Sequence, residues 1–166
     1  MPKTITTSFT LSDKALRDAL TNIQGYVTDG VCNSAGLAIG SGSKKKILIA
    51  NTVYGYIDGV FITKTTAELT LTTAHNVANA AYNVLIVSMN SAGTVTVTAG
   101  TAGATLAAVV AVKPPTGDVV LGFVIIHPSG TGGFVGGTTD LDDATVVPNA
   151  VYVNTVFPFN PAALAL

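Results

Sequence analysis

The feature that most constrains this fold is a series of short β-type runs separated by turn residues. In VYGYIDGVFITK, residues 53–64, the dipeptide Asp58-Gly59 stands between two β-branched and aromatic runs. Asp-Gly favours a two-residue type I′ turn, because both central residues adopt φ > 0. Residues 82–99, YNVLIVSMNSAGTVTVTA, predict a second hairpin around Ser91-Ala92-Gly93. Two antiparallel hairpins are therefore expected.

Further strands are predicted on both sides of these hairpins. KKKIL before the first hairpin begins a strand, and Leu69–Thr73 alternates as LTLTT. Residues 105–112, 119–127 and 150–156 also read as strands, the first of them as a buried run that Lys113-Pro114-Pro115 ends. Many short strands with close turns indicate a mainly β fold, an antiparallel β-sandwich or jelly-roll-like architecture.

One short helix is predicted near the N-terminus. Ser12 is a suitable N-cap, the apolar Leu16, Leu20 and Ile23 share one helical face, and Gly25 ends the segment. Residues 26–36 have turn composition and no period, as a linker would. The expected division is an N-terminal arm and helix over 1–36 and a β-sandwich domain over 37–166. Because a helix of three turns is marginal alone, its apolar face must dock on the β domain of the same chain, on a neighbouring subunit or on a larger assembly. We favour the last two, because the linker gives the helix reach.

Composition excludes several classes of function. Only 10% of the residues are charged and the net charge is −1, which gives no electrostatic basis for nucleic-acid binding. The longest apolar runs, Ala104–Val112 and Val119–Ile126, are too short to cross a membrane. The first residues contain no apolar core of a secretory signal. A surface with few charges suits a protein whose exterior is covered by partners.

The stretch GTGGFVGGTTDLDD, residues 130–143, raises the question of a ligand site. No Lys or Arg follows Lys113, and the glycine spacing departs from the dinucleotide fingerprint. Asp140, Asp142 and Asp143 could hold calcium, but they lack the EF-hand spacing; turn capping or contact with a basic patch on a neighbour is the favoured interpretation. We expect a shaped loop with Phe134 as an apolar interface anchor, the alternative being a solvent loop whose Phe points inward.

Other reactive side chains are interpreted as structural. His127 and Ser129 are too close in sequence for a usual nucleophile and base, and His75 stands alone. Cys32, the single cysteine, is expected to be a partly buried small apolar residue. Lys44-Lys45-Lys46 is interpreted as protection of an exposed strand edge, with contact to acids of a neighbouring subunit as the alternative. No catalytic, metal or cofactor residue is assigned, and no enzyme activity is expected.

Two long stretches resemble virion structural proteins of tailed bacteriophages. They are NSAGLAIGSGSKKKILIANTVYGYIDGVFITKTTAELTLT and TGDVVLGFVIIHPSGTGGFVGGTTDLDDATVVPNAVYVN. The resemblance is to small head-associated proteins, namely capsid decoration or head-fibre proteins. It implies a non-enzymatic protein on the surface of the virion head, made in the host cytoplasm, with the major capsid protein and its own copies as partners.

The expected function is therefore capsid decoration by a homotrimer without a cofactor, a nucleic-acid partner or a membrane partner. A head-fibre base, another capsid component, or a β-sandwich carbohydrate-binding module are the alternatives. A carbohydrate module would need exposed aromatic platforms, and this chain has no Trp and 5 Tyr. The candidate interface residues are apolar: Leu16, Leu20, Ile23, Phe134, Phe157 and Phe159.

Overall fold

A computed structural model describes residues 29–147 and 150–156 of the chain. The predicted helix, with Leu16, Leu20 and Ile23, and the tail residues Phe157 and Phe159 lie outside the described residues. The described part is mainly β and contains ten strands: β1 Gly30–Val31, β2 Leu37–Ile39, β3 Lys46–Ile49, β4 Val53–Ile57, β5 Val60–Lys64, β6 Ala67–Thr70, β7 Asn83–Met89, β8 Val95–Ala99, β9 Val119–Ile126 and β10 Val151–Asn154. Two 3₁₀ turns, Thr73–His75 and Leu106–Ala108, complete it.

The strands form three antiparallel sheets with the orders β1-β4-β5, β2-β3-β6 and β10-β9-β7-β8. β1 lies against β9, β2 against β10, and β6 against β8, so each sheet contacts another. The Leu37 amide donates to the Asn154 side-chain oxygen at 2.7 Å, which ties β2 to β10. One continuous apolar core lies between the sheets.

Both hairpins predicted from the turn residues are confirmed. Asp58 and Gly59 have φ of 50° and 73°, as a type I′ turn requires, and Ile57 pairs with Val60. In the second hairpin, Met89 of β7 pairs with Val95 of β8. β7 lies between β8 and β9, with nearly every side chain buried. A central strand covered on both faces accounts for its continuous apolar sequence.

The strand predicted over residues 105–112 is wrong. The segment forms a 3₁₀ turn at Leu106–Ala108 and an irregular stretch, with Val110 63% and Val112 38% exposed. Thr101 and Val110 make an isolated bridge through their backbones. An apolar run signals a buried strand only where a neighbouring strand covers it, and no described strand pairs with this one.

The β structure begins before Leu37, the predicted boundary. Gly30 and Val31 pair with Tyr56 and Gly55 of β4, and Val31 and Ala35 belong to the core. This part of the predicted linker is therefore an edge strand of the first sheet. Cys32 follows β1 and is exposed, so its interpretation as a partly buried residue is wrong.

The lysine run does not lie at an exposed sheet edge. Lys46 begins β3, which is the central strand between β2 and β6. The Lys46 ammonium lies 3.5 Å from the Glu68 carboxylate on β6. The interpretation of Lys44-Lys45-Lys46 as edge protection is therefore wrong, because both sides of β3 are already paired.

Candidate functional site: an aromatic face on the first hairpin

The most distinctive surface of the described residues is the outer side of the β4–β5 hairpin. Its turn is held from outside, since the Asp58 amide donates to the Asp29 carboxylate at 2.7 Å. Strand alternation then sends side chains to opposite sides. Val53, Ile57 and Ile62 point into the core and are buried. The side chains between them on each strand point outward.

Three of these outward residues are aromatic, and together they are the aromatic face: Tyr54, Tyr56 and Phe61. Tyr54 is 45% and Phe61 52% exposed, whereas Tyr56 is partly buried. Tyr56 and Phe61 are direct cross-strand partners, with ring centroids 5.5 Å apart and an edge-on angle of 62°. Tyr54 and Phe61 stack across the diagonal at 6.0 Å and 15°. Cross-strand aromatic pairs of this kind stabilise a hairpin and fix its register.

β1 supports the aromatic face from the neighbouring position in the sheet. Val31 pairs with Gly55, and a side chain at Gly55 would bring its Cβ to 2.7 Å from the Gly30 carbonyl oxygen. Glycine is required there for the close approach of the two strands. The Asn33 side chain donates to the Thr52 carbonyl at 2.8 Å and accepts from the Tyr54 amide at 2.8 Å. These contacts hold the strand that carries two of the three rings.

The aromatic face is apolar and carries two phenolic hydroxyls but no charged group. Val60, at the turn, is 57% exposed, but as the cross-strand partner of Ile57 it lies on the opposite side of the hairpin. The aromatic face can cover an apolar patch on a protein, because aromatic side chains bury large areas at low entropic cost. It can also stack against the flat side of a ring-shaped ligand. It contains no nucleophile, base or metal ligand.

The glycine-rich loop has the opposite character. Phe134 is 1% exposed and belongs to the core, and its backbone forms a bridge with Val77 through hydrogen bonds of 2.8 and 3.0 Å. The interpretation of Phe134 as an interface anchor therefore gives way to the alternative of an inward Phe. Its ring offers no surface to a partner in this structure.

The glycines around Phe134 allow backbone segments of the same chain to approach closely. A Cβ at Gly133 would lie 2.7 Å from the Val77 carbonyl oxygen, and one at Gly136 would collide with the Thr72 carbonyl. The Gly136 amide donates to the Asn76 side chain at 2.9 Å. The close approach that these glycines allow is therefore to segments of the same chain.

The acidic end of the loop is bound by local contacts. Asp142 forms an ion pair of 2.6 Å with Lys44. Asp143 accepts hydrogen bonds from the Thr145 hydroxyl at 2.6 Å and from the Thr145 amide at 2.8 Å. The hydrogen bond from the Thr145 hydroxyl makes the largest contribution to lowering the pKa of Asp143 below its usual range, and the bond from the Thr145 amide makes the next largest. The hydrogen bond to Asp142 raises the pKa of Lys44. The basic partner of Asp142 is thus on its own chain.

No group of three His, Cys, Asp or Glu side chains converges as a metal site within residues 29–147 and 150–156. Asp140, Asp142 and Asp143 are close in sequence, but the side chains of Asp142 and Asp143 contact different partners. The carboxylates of Asp142 and Asp143 have the partners described above, and the Asp140 carbonyl accepts from the Asp143 amide at 3.2 Å.

The two histidines also have structural contacts. His75 is buried; its Nδ1 accepts from the Thr72 amide at 2.9 Å, which leaves Nε2 to donate to the Val97 carbonyl at 3.0 Å. His127 stacks on Tyr82, with ring centroids 3.7 Å apart, and its Nδ1 lies 3.1 Å from the Ala81 carbonyl. Within the described part of the chain no hydrogen bond joins His127 to Ser129.

The aromatic face was missed in the sequence, although a signal for it exists. Asp58-Gly59 fixes the pairing of Ile57 with Val60 and therefore of Tyr56 with Phe61. Tyr54 and Tyr56 are two residues apart and so share a side of β4. The turn and the strand alternation therefore predict that the three rings share one side of the hairpin. Their exposure follows once the opposite side of the hairpin is assigned to the core.

The fold and this surface define the class: a mainly β module of three sheets with an exposed aromatic hairpin. No protein-family model, curated protein or solved structure matches the chain. Among the described residues, no helix has the length and hydropathy needed to cross a bilayer.

Proposed function

We propose that this protein is a non-enzymatic virion component that decorates and stabilises the capsid of a tailed bacteriophage. It binds the head surface as a homotrimer through contacts with the major capsid protein and its own copies. The resemblance of its two long stretches to head-associated proteins supports this role. So does a chain in which only 10% of the residues are charged, since few charges must lose water when its surface is covered.

The observation that carries the proposal is the aromatic face. Tyr54 and Phe61 are about half exposed, and their rings stack on each other across the hairpin. Ordered aromatic side chains at a protein surface are typical of the energetic centre of an interface. We assign this face to contact with the shell or with a neighbouring copy.

The proposal includes a sandwich-like or jelly-roll-like arrangement of the sheets and a three-fold assembly. The single core between the three sheets supports the former. For the latter, β5 and β8 are outer strands of their sheets, and closed cyclic association covers such edges without open-ended growth.

The experiment compares shell binding by two variants of the full chain. In the first, Tyr54→Ser and Phe61→Ser remove two exposed rings; in the control, Val110→Ser removes an apolar side chain from the 101–112 loop. Light scattering gives the mass relative to the 16.7 kDa protomer, and co-sedimentation with undecorated shells of the cognate capsid protein gives binding. We expect a trimer and a loss of binding of tenfold or more for the first variant only. A monomer at micromolar concentration that does not bind shells would refute the proposal.

A carbohydrate-binding module is the second candidate, because the aromatic face supplies the platform that such a module needs. The nearly parallel Tyr54 and Phe61 rings, 15° apart, could stack on sugar rings. Glycan-array binding by the wild type that disappears in the Tyr54→Ser, Phe61→Ser variant would favour this function. A head-fibre base or another capsid component differs only in the position within the virion, which labelling of intact particles would decide.

A further inference from the structure

An open apolar groove lies where the chain enters and leaves the described β structure. Its volume is about 260 Å³, and its apolar lining comes from β1, from β9 and from the end of the chain after β10: Val31, Val119, Val120, Phe123 and Val156. This volume is below the roughly 300–1,000 Å³ that is usual for small-molecule pockets. The groove is therefore of a size to receive a few apolar side chains.

Two carboxylates, those of Asp29 and Asp118, line the same groove. Asp29 accepts from the Asp58 amide at 2.7 Å, and Asp118 accepts from the Ser88 hydroxyl at 2.8 Å. Neither is in an ion pair with a described residue, and the described lining contains no basic side chain. An occupant that brings apolar side chains and one cation would complement the groove.

The N-terminal segment has this chemistry and is attached at the groove. Residues 1–28 join the β structure at Asp29, which itself lines the groove. Leu16, Leu20 and Ile23 form the apolar face of the predicted helix, and Arg17, the only arginine of the chain, lies at the margin of that face, with Asp13 one turn earlier on the same flank. An arginine there can reach a carboxylate while its stem covers apolar surface.

We propose that the helix predicted over residues 12–24 docks its apolar face into this groove of its own chain, with Arg17 beside Asp29 and Asp118. A helix of this length spans about 20 Å, and residues 25–28 supply a connection of up to about 14 Å. The short connection gives the helix a high effective concentration at the groove. This docking replaces the contact with a neighbouring subunit or a larger assembly that the sequence favoured for Leu16, Leu20 and Ile23, and it is independent of the capsid role.

The C-terminal segment is the competing occupant. Residues 157–166 also leave the β structure at the groove, directly after Val156. They contain Phe157 and Phe159 but no charged side chain. They would leave the Asp29 and Asp118 carboxylates without a counter-charge, so the N-terminal helix is the better match.

The test is methyl NMR on the full-length protein, with Leu, Ile and Val methyl groups labelled. We expect cross-peaks from Leu16, Leu20 and Ile23 to Val31, Val119 and Val120. A mixture of labelled and unlabelled protein, with filtered spectra, separates contacts within one chain from contacts between copies. Cross-peaks that appear only between copies, or groove cross-peaks from Leu164 and Leu166 of the tail in place of the helix, would overturn the proposal.

Charge variants test the place of Arg17. Asp29→Asn with Asp118→Asn keeps hydrogen-bond acceptors but removes both charges, and we expect these cross-peaks to weaken at least twofold. Asp140→Asn with Asp142→Asn, which removes two charges from the 130–143 loop, is the matched control and should leave them unchanged. Equal intensities in both double variants would refute the role of the two carboxylates, and absence of the helix–groove cross-peaks in the wild type would refute the docking itself.

Discussion

The β4–β5 hairpin and the 130–143 loop each carry aromatic side chains close to glycine. The hairpin exposes rings to solvent, whereas the loop buries its ring in the core. Phe61 is 52% exposed and Phe134 is 1% exposed. In the hairpin, the Ile62 side chain points into the core, so strand alternation directs the side chain of the preceding residue, Phe61, outward. In the loop, glycines let the backbone approach Val77 and Thr72, and the Phe fills the core beside them. Backbone geometry, and not residue type, decides which ring is available to a partner.

The largest expected effect comes from truncating these two rings. Phe134→Ala should lower the free energy of unfolding by about 3–5 kcal/mol, because it removes a buried ring and leaves a cavity. Phe61→Ala, the matched surface variant, should lower it by less than about 1 kcal/mol, since it loses only cross-strand aromatic contacts. Urea unfolding followed by circular dichroism measures both values. Similar losses for the two variants would break the contrast between the regions.

The next effect tests whether close backbone approach is what shapes the loop. Gly133→Ala would place a Cβ 2.7 Å from the Val77 carbonyl oxygen, and overpacking of this kind costs about 1–3 kcal/mol. Val135→Ala, two residues away at a position that is 38% exposed, should change stability by less than about 0.5 kcal/mol. If Gly133→Ala is as stable as the wild type by thermal unfolding, the approach of the two segments is not required.

The hairpins show how far local sequence patterns determine this fold. Asp58-Gly59 and Ser91-Ala92-Gly93 each lie between β-type runs, and their strands were predicted because turn type and alternation are local properties. The strand predicted over residues 105–112 was wrong because strand formation there depends on a non-local property. Its apolar residues have no partner strand, and only the tertiary structure shows this. A two-residue strand such as Gly30–Val31 carries no period and could not be predicted.

The candidate site was less accessible to sequence reasoning. Turn geometry gives the pairing of Tyr56 with Phe61, but which side of the hairpin meets the core depends on β1 and its close contact at Gly55. Phe134 was expected at an interface because the glycines around it allow another backbone to approach closely. Its burial depends on the bridge to Val77, 57 positions earlier in the sequence.

Tyr152 is an aromatic residue whose hydroxyl is buried in the protein, in contrast to the exposed rings of the hairpin. The Tyr152 hydroxyl is buried without a hydrogen-bond partner among the described residues, and burial raises the pKa of Tyr152 to about 12. Tyr152→Phe removes only the unpaired hydroxyl, so at pH 7 we expect equal stability or a gain of up to about 1 kcal/mol. Tyr54→Phe, on the aromatic face, should be neutral. A clear loss for Tyr152→Phe would mean that the hydroxyl is bonded.

The same tyrosine gives a pH dependence with a definite sign. The usual Tyr pKa is 10.0 and the folded value is about 12, so between these pH values the unfolded chain binds fewer protons at this residue. The contribution of Tyr152 to stability therefore falls as pH rises from 10 towards 12. The Tyr152→Phe variant should show a shallower loss of stability in this window than the wild type. Equal slopes in urea unfolding at pH 9, 10 and 11 would contradict the raised pKa.

The smallest effect is expected at the acidic end of the loop. If glycines and local hydrogen bonds shape this loop, its carboxylates are not needed as metal ligands, and replacing Asp140, Asp142 and Asp143 by Asn should leave the fold intact. Because the pKa of Asp143 is lowered, its small contribution is present at neutral pH and disappears as pH falls through the folded pKa. Thermal unfolding of the wild type and the triple variant with and without a chelator checks the first point, and the same measurement at decreasing pH checks the second. Should the chelator lower the melting temperature of the wild type by many degrees but not that of the triple variant, these carboxylates bind a cation, and the loop is a metal site after all.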